Sequence, residues 1–204
     1  GRMGRLLLAL AREDARLRVA GAIEAPGHPA VGRDAGELAG GSALGVRVDD
    51  DLARSCEPAH VVIDFTAPAA TLIHVRVAAE RGAALVVGTT GLTPDQDREM
   101  RALAARTRAV VAPNMSVGVT VLTELVGAAA RLLDASFEAE IVEIHHHAKK
   151  DAPSGTALAL GRAVAAARGQ DFARAAVLAR EGQGGARRPD EIGIVALRAG
   201  DVIG

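Results

Sequence analysis

The sequence predicts an α/β protein, in which a doubly wound parallel sheet is followed by an α+β domain with an open sheet. Over residues 1–115, short apolar runs alternate with helical segments across brief connections, which is the pattern of a parallel sheet. The core must be aliphatic, because the chain has no Trp or Tyr and only 3 Phe. Buried parallel strands have this composition. Residues 116–204 contain longer alternating strands and predict a second domain.

Turn residues set the bounds of the predicted elements. Pro68 lies near the start of one helix and Gly82 at its C-cap, while Thr93 and Pro94 supply the N-cap and first position of the next. In the first domain we predict helix 6–17, strand 17–24, a surface loop over 25–41, strand 60–66, helix 67–82, strand 83–91, helix 93–106 and strand 109–116. In the second we predict helix 117–133, strand 137–147, a helix that begins at 153–156, a Gly-rich loop over 181–188 and strand 192–204.

Composition and charge argue against several functions. A formal net charge of −1 gives no basic field for nucleic acid, and aromatic residues for base stacking are nearly absent. No apolar run approaches the roughly 20 residues of a membrane span. The single cysteine, Cys56, cannot form an internal disulfide, and no secretory signal opens the chain. We therefore expect a cytoplasmic protein that binds neither nucleic acid nor membrane.

The first four residues, Gly1-Arg2-Met3-Gly4, resemble the end of a dinucleotide-binding fingerprint of the form G-x-x-G-R-M-G. Glycines at a helix start let the backbone approach a pyrophosphate, and the helix N-terminus favours its charge. Glu24 ends the next predicted strand, where an acidic residue hydrogen-bonds the ribose hydroxyls of a dinucleotide. The alternatives are a frayed terminus and a solvated carboxylate.

Three predicted strands end in polar or Gly-rich tips: Asp64-Phe65-Thr66, Gly88-Thr89-Thr90-Gly91 and Pro113-Asn114-Met115-Ser116. Ligands of doubly wound sheets bind beyond the carboxyl ends of the strands, so these tips suit a nicotinamide. Each tip taken singly is equally typical of an ordinary turn.

The histidine run His145–His147 permits three interpretations. On a strand, His145 and His147 share one face, which allows a metal site, but no partner ligand follows at a recognised spacing. Solvated imidazoles at a strand end are the second interpretation. The third is a proton donor beside the charge of Lys149 and the helix start at Pro153–Thr156, together a pocket for a small carboxylate. For Arg198, a substrate contact and a structural ion pair remain equally open, and His74 is expected to be structural.

These motifs resemble one known family. The matching stretches are G-R-M-G-R, G-R-D-A-G-E-L-A-G, V-I-D-F-T-A-P, V-G-T-T-G-L, A-P-N-M-S-V-G-V, E-I-H-H-H-A-K-K-D-A-P-S-G-T-A-L and I-G-I-V-A-L-R-A-G-D-V-I-G, in order along almost the whole chain. The pattern E-x-H-H-x-x-K-x-D-x-P-S-G-T-A is highly specific. On these residues the chain resembles the dihydrodipicolinate reductases (4-hydroxy-tetrahydrodipicolinate reductases) of bacterial lysine and diaminopimelate synthesis.

The resemblance implies a Rossmann-like nucleotide domain, 1–115, and a substrate-binding and oligomerisation domain, 116–204, usually in a homotetramer. It implies hydride transfer from NADH or NADPH to a cyclic dicarboxylate imine, without a metal. His145 resembles the proton donor and Lys149 its partner, while His146 resembles a substrate-binding residue. The substrate carboxylate site corresponds to Ser154, Gly155 and Thr156 at the helix start. Cofactor-contacting positions correspond to Gly1, Arg2, Met3, Gly4, Glu24, Phe65, Thr66, Gly88, Thr89, Thr90, Pro113, Asn114, Met115 and Ser116.

The chain departs from the family at two kinds of position. Some members carry arginines that meet the 2′-phosphate of NADPH where this chain has Ala25 and Ala67, which predicts a preference for NADH. The strand before Gly1 and the family's segment after Gly204 are missing from this sequence. We therefore expect the 204-residue chain by itself to be marginally stable or to aggregate. The alternative to an enzyme is a truncated, non-catalytic remnant that binds nucleotide weakly, and a third, weaker hypothesis is a metal-dependent hydrolase.

Overall fold

The structure is a computed structural model that describes residues 1–57, 59–134 and 136–204. It divides into two compact units, Gly1–Ala112 and Pro113–Gly204. The helices are α1 (Arg2–Glu13), α2 (Ala35–Leu38), α3 (Leu52–Ser55), α4 (Pro68–Glu80), α5 (Pro94–Ala104), α6 (Val117–Leu132), α7 (Gly155–Ala167) and α8 (Phe172–Ala175). The strands are β1 (Ala22–Ile23), β2 (Val48–Asp49), β3 (Val61–Asp64), β4 (Ala84–Val87), β5 (Ala109–Val111), β6 (Ala139–His145), β7 (Ala176–Val177) and β8 (Ile192–Arg198). All pairings between these strands are parallel, which confirms the α/β class.

The first unit has two parallel sheets, where the sequence predicted one continuous sheet. Strand β1 pairs with β2, and β3, β4 and β5 form a separate sheet in that order. Within the described residues, β1 and β3 each have a strand partner on one side only. The hydrogen-bond ladder of a parallel sheet is therefore interrupted between β1 and β3.

The core of the first unit lies between the three-stranded sheet and helices α4 and α5. Leu85, Val75 and Met100 are fully buried there. On the opposite face of the sheet, Val61 and Ile63 are about half exposed. None of the helices in the described ranges is long and apolar enough to cross a membrane.

Local sequence signals explain the longer helices of the first unit. Thr93 caps α5 in a capping box with Gln96, and Pro94 occupies the first turn, as predicted. Gly82 follows α4 at φ 71°, the left-handed conformation that ends helices and that glycine adopts without strain. Helix α1 begins at Arg2, whereas the Ala- and Leu-rich pattern predicted a start at residue 6. The predicted loop over 25–41 contains the short helix α2, which Asp34 caps.

The second unit is built on the sheet β6-β8-β7, with α7 in the connection that follows β6. Ile192 and Ile194 of β8 are fully buried. Ile192 forms an apolar cluster with Val164 and Ala165 of α7. Full parallel pairing of β6 with β8 brings their carboxyl ends together, so that His145 lies opposite Arg198. Both strands end earlier than predicted, at His145 rather than 147 and at Arg198 rather than 204.

Candidate active site

The carboxyl ends of β6 and β8 hold a partly buried carboxylate–guanidinium pair. Arg198 Nη1 and Nη2 donate to Glu143 Oε2 and Oε1 at 2.8 and 2.9 Å, in a bidentate pair. The Glu143 side chain is 9% exposed, and Ser154 N donates to its Oε1 at 2.8 Å. Burial raises the pKa of Glu143, but the hydrogen bonds from Arg198, His145 and Ser154 outweigh burial and lower the pKa to about 2. Glu143 is therefore ionised at neutral pH.

Glu143 also orients His145, which lies two residues later on the same face of β6. Nδ1 of the imidazole is 2.6 Å from Glu143 Oε2. Because an ionised carboxylate only accepts hydrogen bonds, Nδ1 carries a proton, and Nε2 is the atom that can gain and lose one. The imidazole is 22% exposed, and a methyl group built on Gly204 would lie 2.7 Å from Nε2. With Nδ1 held by Glu143 and Nε2 able to exchange a proton, the ring suits proton donation.

Lys149 lies in the segment between β6 and α7, where its ammonium contacts Asp151. Nζ is 2.8 and 2.9 Å from the two carboxylate oxygens of Asp151. Burial raises the pKa of Asp151, but the hydrogen bonds from Lys149 and the backbone, together with the charges of Lys149 and Arg198, outweigh burial and lower the pKa. Arg198 Nη2 donates to the backbone oxygen of Asp151 at 2.7 Å. Lys149 and Arg198 thus place two cations around Asp151, next to the oriented imidazole of His145.

The start of α7 supplies hydrogen-bond donors to the same unit. Ser154 is buried, and its Oγ accepts from Ala157 N at 3.1 Å, which makes it the N-cap. Its own N–H is taken by Glu143, and among the residues that the structure describes the N–H groups of Gly155 and Thr156 have no hydrogen-bond acceptor. Thr156 Oγ1 accepts from Asn114 Nδ2 at 2.9 Å. A helix N-terminus with two unpaired N–H groups favours an anion such as a carboxylate.

His146 and His147 lie beyond the end of β6. The expectation that His145 and His147 share a strand face is therefore wrong. β6 ends at His145, and residues 147–148 form a turn. His147 Nδ1 donates to Gly200 O at 2.8 Å and its ring is 71% exposed. His146 is half-buried beside the end of β6. Across residues 1–57, 59–134 and 136–204, no three His, Cys, Asp or Glu side chains gather as a metal site.

The start of α1 and the end of β1 meet at the residues predicted to bind the nucleotide. The terminal ammonium of Gly1 donates to Glu24 Oε2 at 2.7 Å, and Ala25 N donates to Oε1 at 3.0 Å. The hydrogen bond from this ammonium and the one from Ala25 N lower the pKa of Glu24. Gly1 is the N-cap of α1, and Arg2, Met3 and Gly4 form its exposed first turn. A methyl group built on Gly4 would meet none of the described residues within 4 Å, which leaves the backbone of this helix start accessible to an anion.

The tips of β3 and β4 contact one another in the first unit. The ring of Phe65 lies on Gly88, where a methyl group would be 2.1 Å from the ring carbon Cε1. Thr66 N donates to Thr89 Oγ1 at 3.0 Å, and the Thr89 side chain is buried. Thr90 is exposed. The edge therefore presents Phe65, Thr66 and Thr90, while Gly88 lies beneath the Phe65 ring and the Thr89 hydroxyl faces inward.

The third predicted tip belongs to the second compact unit. Asn114 Oδ1 accepts from Ser116 N at 2.8 Å, and Ser116 caps α6. Pro113 Cβ would lie 3.5 Å from a methyl group built on Gly155, and Met115 is exposed. Pro113 and Asn114 thus adjoin the start of α7.

The sequence assigned no role to two residues of the site, Glu143 and Asp151, although both are fixed positions of the family pattern. The role of Glu143 was detectable, because it lies two positions before His145 and a strand of period two puts both on one face. For Arg198 the structure shows the ion pair, one of the two alternatives left open; its partner lies 55 residues earlier, and no local pattern links the two. No pattern indicated that Asp151 pairs with Lys149.

Comparison with known proteins extends these observations. A family model described as "Dihydrodipicolinate reductase, N-terminus" matches residues 1–115, and one described as "Dihydrodipicolinate reductase, C-terminus" matches residues 118–204. The chain belongs to the dihydrodipicolinate reductase family. It is 50% identical over 204 residues to the 4-hydroxy-tetrahydrodipicolinate reductase of Anaeromyxobacter dehalogenans (strain 2CP-C) and 47% identical to that of Syntrophobacter fumaroxidans. All of this chain and 76% of each relative are covered.

A solved structure also resembles this reductase. It is the dipicolinate-bound dihydrodipicolinate reductase from Paenisporosarcina sp. TG-14, with a TM-score of 0.65 and 25% sequence identity. The match covers 100% of this chain and 77% of the other. Likeness in both sequence and fold therefore supports the same family.

Proposed function

We propose that this reductase catalyses the NAD(P)H-dependent reduction of 4-hydroxy-tetrahydrodipicolinate (dihydrodipicolinate) to tetrahydrodipicolinate, in lysine and diaminopimelate biosynthesis. The observation that carries the proposal is the second unit's grouping of an oriented imidazole, the ammonium of Lys149 and an open helix N-terminus. A cyclic dicarboxylate needs cationic and N–H partners, and an imine that accepts hydride must also gain a proton. A place in the cytoplasm belongs to the same proposal, since the single Cys56 forms no internal disulfide.

Each predicted residue then has a defined task. His145 Nε2 delivers the proton, while Glu143 holds Nδ1 and stabilises the charged ring. Lys149 moves from Asp151 to a substrate carboxylate, a short exchange between two carboxylates. The N–H groups of Gly155 and Thr156 bind the same ligand, and Ser154 holds the helix start in place. His146, half-buried beside them, contacts the substrate.

Reduced nicotinamide nucleotide supplies the hydride when it is bound. The first unit's residues fit it: the bare backbone of Gly1 and Gly4 at the start of α1, and Glu24, whose ionised carboxylate accepts from ribose hydroxyls. The further cofactor contacts are Arg2, Met3, Phe65, Thr66, Gly88, Thr89, Thr90, Pro113, Asn114, Met115 and Ser116. NADH is preferred over NADPH, because Ala25 and Ala67 offer no cation to a 2′-phosphate.

A homotetramer is the expected assembly of the complete protein. On one face of the paired strands β6 and β8, Val142, Ile144, Val195 and Leu197 are exposed and adjacent in register. A contiguous apolar face of this kind is typical of a surface that another subunit covers. Sedimentation at several protein concentrations measures the assembly, and a Val142→Glu variant that remains tetrameric would contradict this surface.

The experiment that tests the function is a coupled assay on the full-length protein. The preceding synthase of the lysine pathway supplies substrate in situ, and loss of reduced-nicotinamide absorbance is followed with NADH and with NADPH. Substrate-dependent oxidation should collapse in His145→Gln and Lys149→Ala. It should persist in His147→Gln, whose exposed ring donates to the Gly200 carbonyl and lies 3.8 Å from Asp201. No oxidation from a folded protein would favour the non-catalytic remnant, and loss of activity with a chelator would favour metal-dependent chemistry.

A further inference from the structure

A buried polar cluster lies beneath the tips of β3 and β4 in the first unit. Its centre is Asp64, the last residue of β3, whose side chain is 1% exposed. Thr71 and His74 reach it from α4, and Thr66 and Thr89 reach it from the two tips. Burying a carboxylate costs free energy unless the group is fully hydrogen-bonded, so the burial of Asp64 requires an explanation.

The two oxygens of Asp64 have different partners. Oδ1 lies 2.8 Å from Thr66 Oγ1, 2.9 Å from Thr89 Oγ1 and 3.0 Å from Thr71 Oγ1. Oδ2 lies 2.6 Å from Nδ1 of His74, whose ring is 18% exposed. One carboxylate therefore joins three segments of the chain: residues 65–66 after β3, residues 88–90 after β4, and helix α4.

Asp64 accepts these hydrogen bonds as an anion. Burial raises the pKa of its carboxyl, but the hydrogen bonds from His74, Thr66 and Thr89 outweigh burial and hold the pKa below its ordinary value. Because an ionised carboxylate donates nothing, Nδ1 of His74 must carry a proton. The imidazole thus fixes Oδ2, and the orientation of Oδ1 toward the two tips follows from it.

The segments held in this way are those that would meet the nucleotide. Thr66 and the backbone of 88–90 flank the ring of Phe65, which lies on Gly88. If the Thr89 hydroxyl faced the ligand, it would not need the buried carboxylate of Asp64 as its hydrogen-bond acceptor. The inward Thr89 hydroxyl instead fixes the loop that bears it.

We propose that His74, acting through Asp64, is a positioning residue for the nicotinamide nucleotide. It holds residues 65–66 and 88–90 in the conformation that binds the cofactor, and it touches neither cofactor nor substrate. The proposal rests on the proposed function, because it assigns these tips to the nucleotide.

The test compares His74→Asn with His74→Gln in the full-length protein. Both are neutral amides, but Asn places its N–H near the position of Nδ1, whereas Gln places it near Nε2. We expect His74→Gln to raise the Kd for NADH, measured by the fluorescence of the bound nucleotide, and its KM by roughly tenfold, the loss of about one charge-assisted hydrogen bond. The KM for the dicarboxylate should stay unchanged, and His74→Asn should restore most of the NADH affinity. His60→Gln, an exposed histidine just before β3, is the surface control.

The results that would overturn the positioning role of His74 are distinct from the result that would overturn the proposed function. A folded His74→Gln variant with wild-type affinity for NADH would overturn the proposal, as would an equal rise in both KM values. If His74→Gln does not fold, Thr71→Val takes its place, since it removes a buried hydroxyl of the same cluster and Thr71→Ser restores it. A wild-type protein that binds no nucleotide would instead remove the proposed function and this inference with it.

Discussion

Glu143 and His145 share one face of β6, and 2.6 Å separates Oε2 of the carboxylate from Nδ1 of the imidazole. The same carboxylate accepts two hydrogen bonds from Arg198 and one from Ser154 N. A single, largely covered anion thus fixes the ring of the proton donor and the start of α7. The acid chemistry and the carboxylate-binding helix end therefore depend on one residue, which opens the family pattern but received no role from the sequence.

Glu143→Gln tests that dependence. Gln keeps the shape but cannot accept from Arg198, His145 and Ser154 at once, so the imidazole loses its fixed tautomer. We expect kcat to fall by roughly a hundredfold, the low end of the contribution of general acid catalysis, with the KM for NADH unchanged. Steady-state kinetics in the coupled assay measures both quantities.

The matched control is Glu140→Gln on the same strand. Glu140 also pairs with arginines, Arg180 and Arg187, but it makes no contact with His145. Equal losses of kcat in the two variants would mean that β6 is merely destabilised, and would contradict an orienting role for Glu143.

The sequence predicts the longer secondary-structure elements better than it predicts the contacts between them. Helices α4 and α5 and the start of α7 were predictable, because Pro68, Thr93 and Ser154 are local start signals. The short elements α3, β2 and β7 were missed, because two to four residues carry no periodicity. Pairings such as Glu143 with Arg198 depend on strand register, which is decided by packing across the sheet. The Asp64–His74 pair was not predictable for the same reason, since it also depends on tertiary packing, although His74 was correctly placed on a helix.

The pKa of Glu143 predicts a pH dependence of stability. Its pKa is lowered from 4.5 to about 2, so the stability it contributes is fully present above pH 4.5 and is lost as the pH falls toward 2. A pKa shift of this size corresponds to a contribution on the order of 3 kcal/mol to the free energy of unfolding. Protonated Glu resembles Gln, so the difference in free energy of unfolding between wild type and Glu143→Gln should shrink as the pH falls below 4.5. Urea denaturation at a series of pH values measures it, and a difference that persists unchanged to pH 2.5 would contradict the assignment.

Ala25→Arg should shift the cofactor preference. Ala25 N already contacts Glu24, the predicted partner of the ribose hydroxyls, so a guanidinium at position 25 would stand close to a 2′-phosphate. We expect kcat/KM for NADPH to rise roughly tenfold relative to NADH, the worth of one charge-assisted contact. Ala25→Gln has similar length without charge and is the control. Wild-type enzyme that clearly prefers NADPH would show the present assignment of preference to be wrong.

Two glycines of α7 are expected to affect different properties: Gly155 affects substrate binding, and Gly161 affects stability. A methyl group on Gly155 would meet only Pro113 Cβ, at 3.5 Å, an ordinary contact, and its φ is not left-handed. The protein's own packing therefore tolerates alanine there, but a methyl beside the free N–H groups would obstruct a carboxylate. A methyl on Gly161 would lie 2.8 Å from Phe172 Cε2 and 2.9 Å from Ile194 Cδ1. Gly161 is thus required by the packing of α7 and not by a ligand.

We expect Gly155→Ala to raise the KM for the dicarboxylate at least tenfold while leaving the melting temperature unchanged or higher, since Ala favours helix over Gly. Gly161→Ala should lower the melting temperature by several degrees, the effect of about 1–3 kcal/mol of overpacking, with KM unchanged in the folded fraction. Differential scanning fluorimetry and substrate saturation curves on the two variants measure the contrast. If Gly155→Ala lost stability and kept its KM, the start of α7 would be a structural helix end, and the carboxylate would have to bind elsewhere.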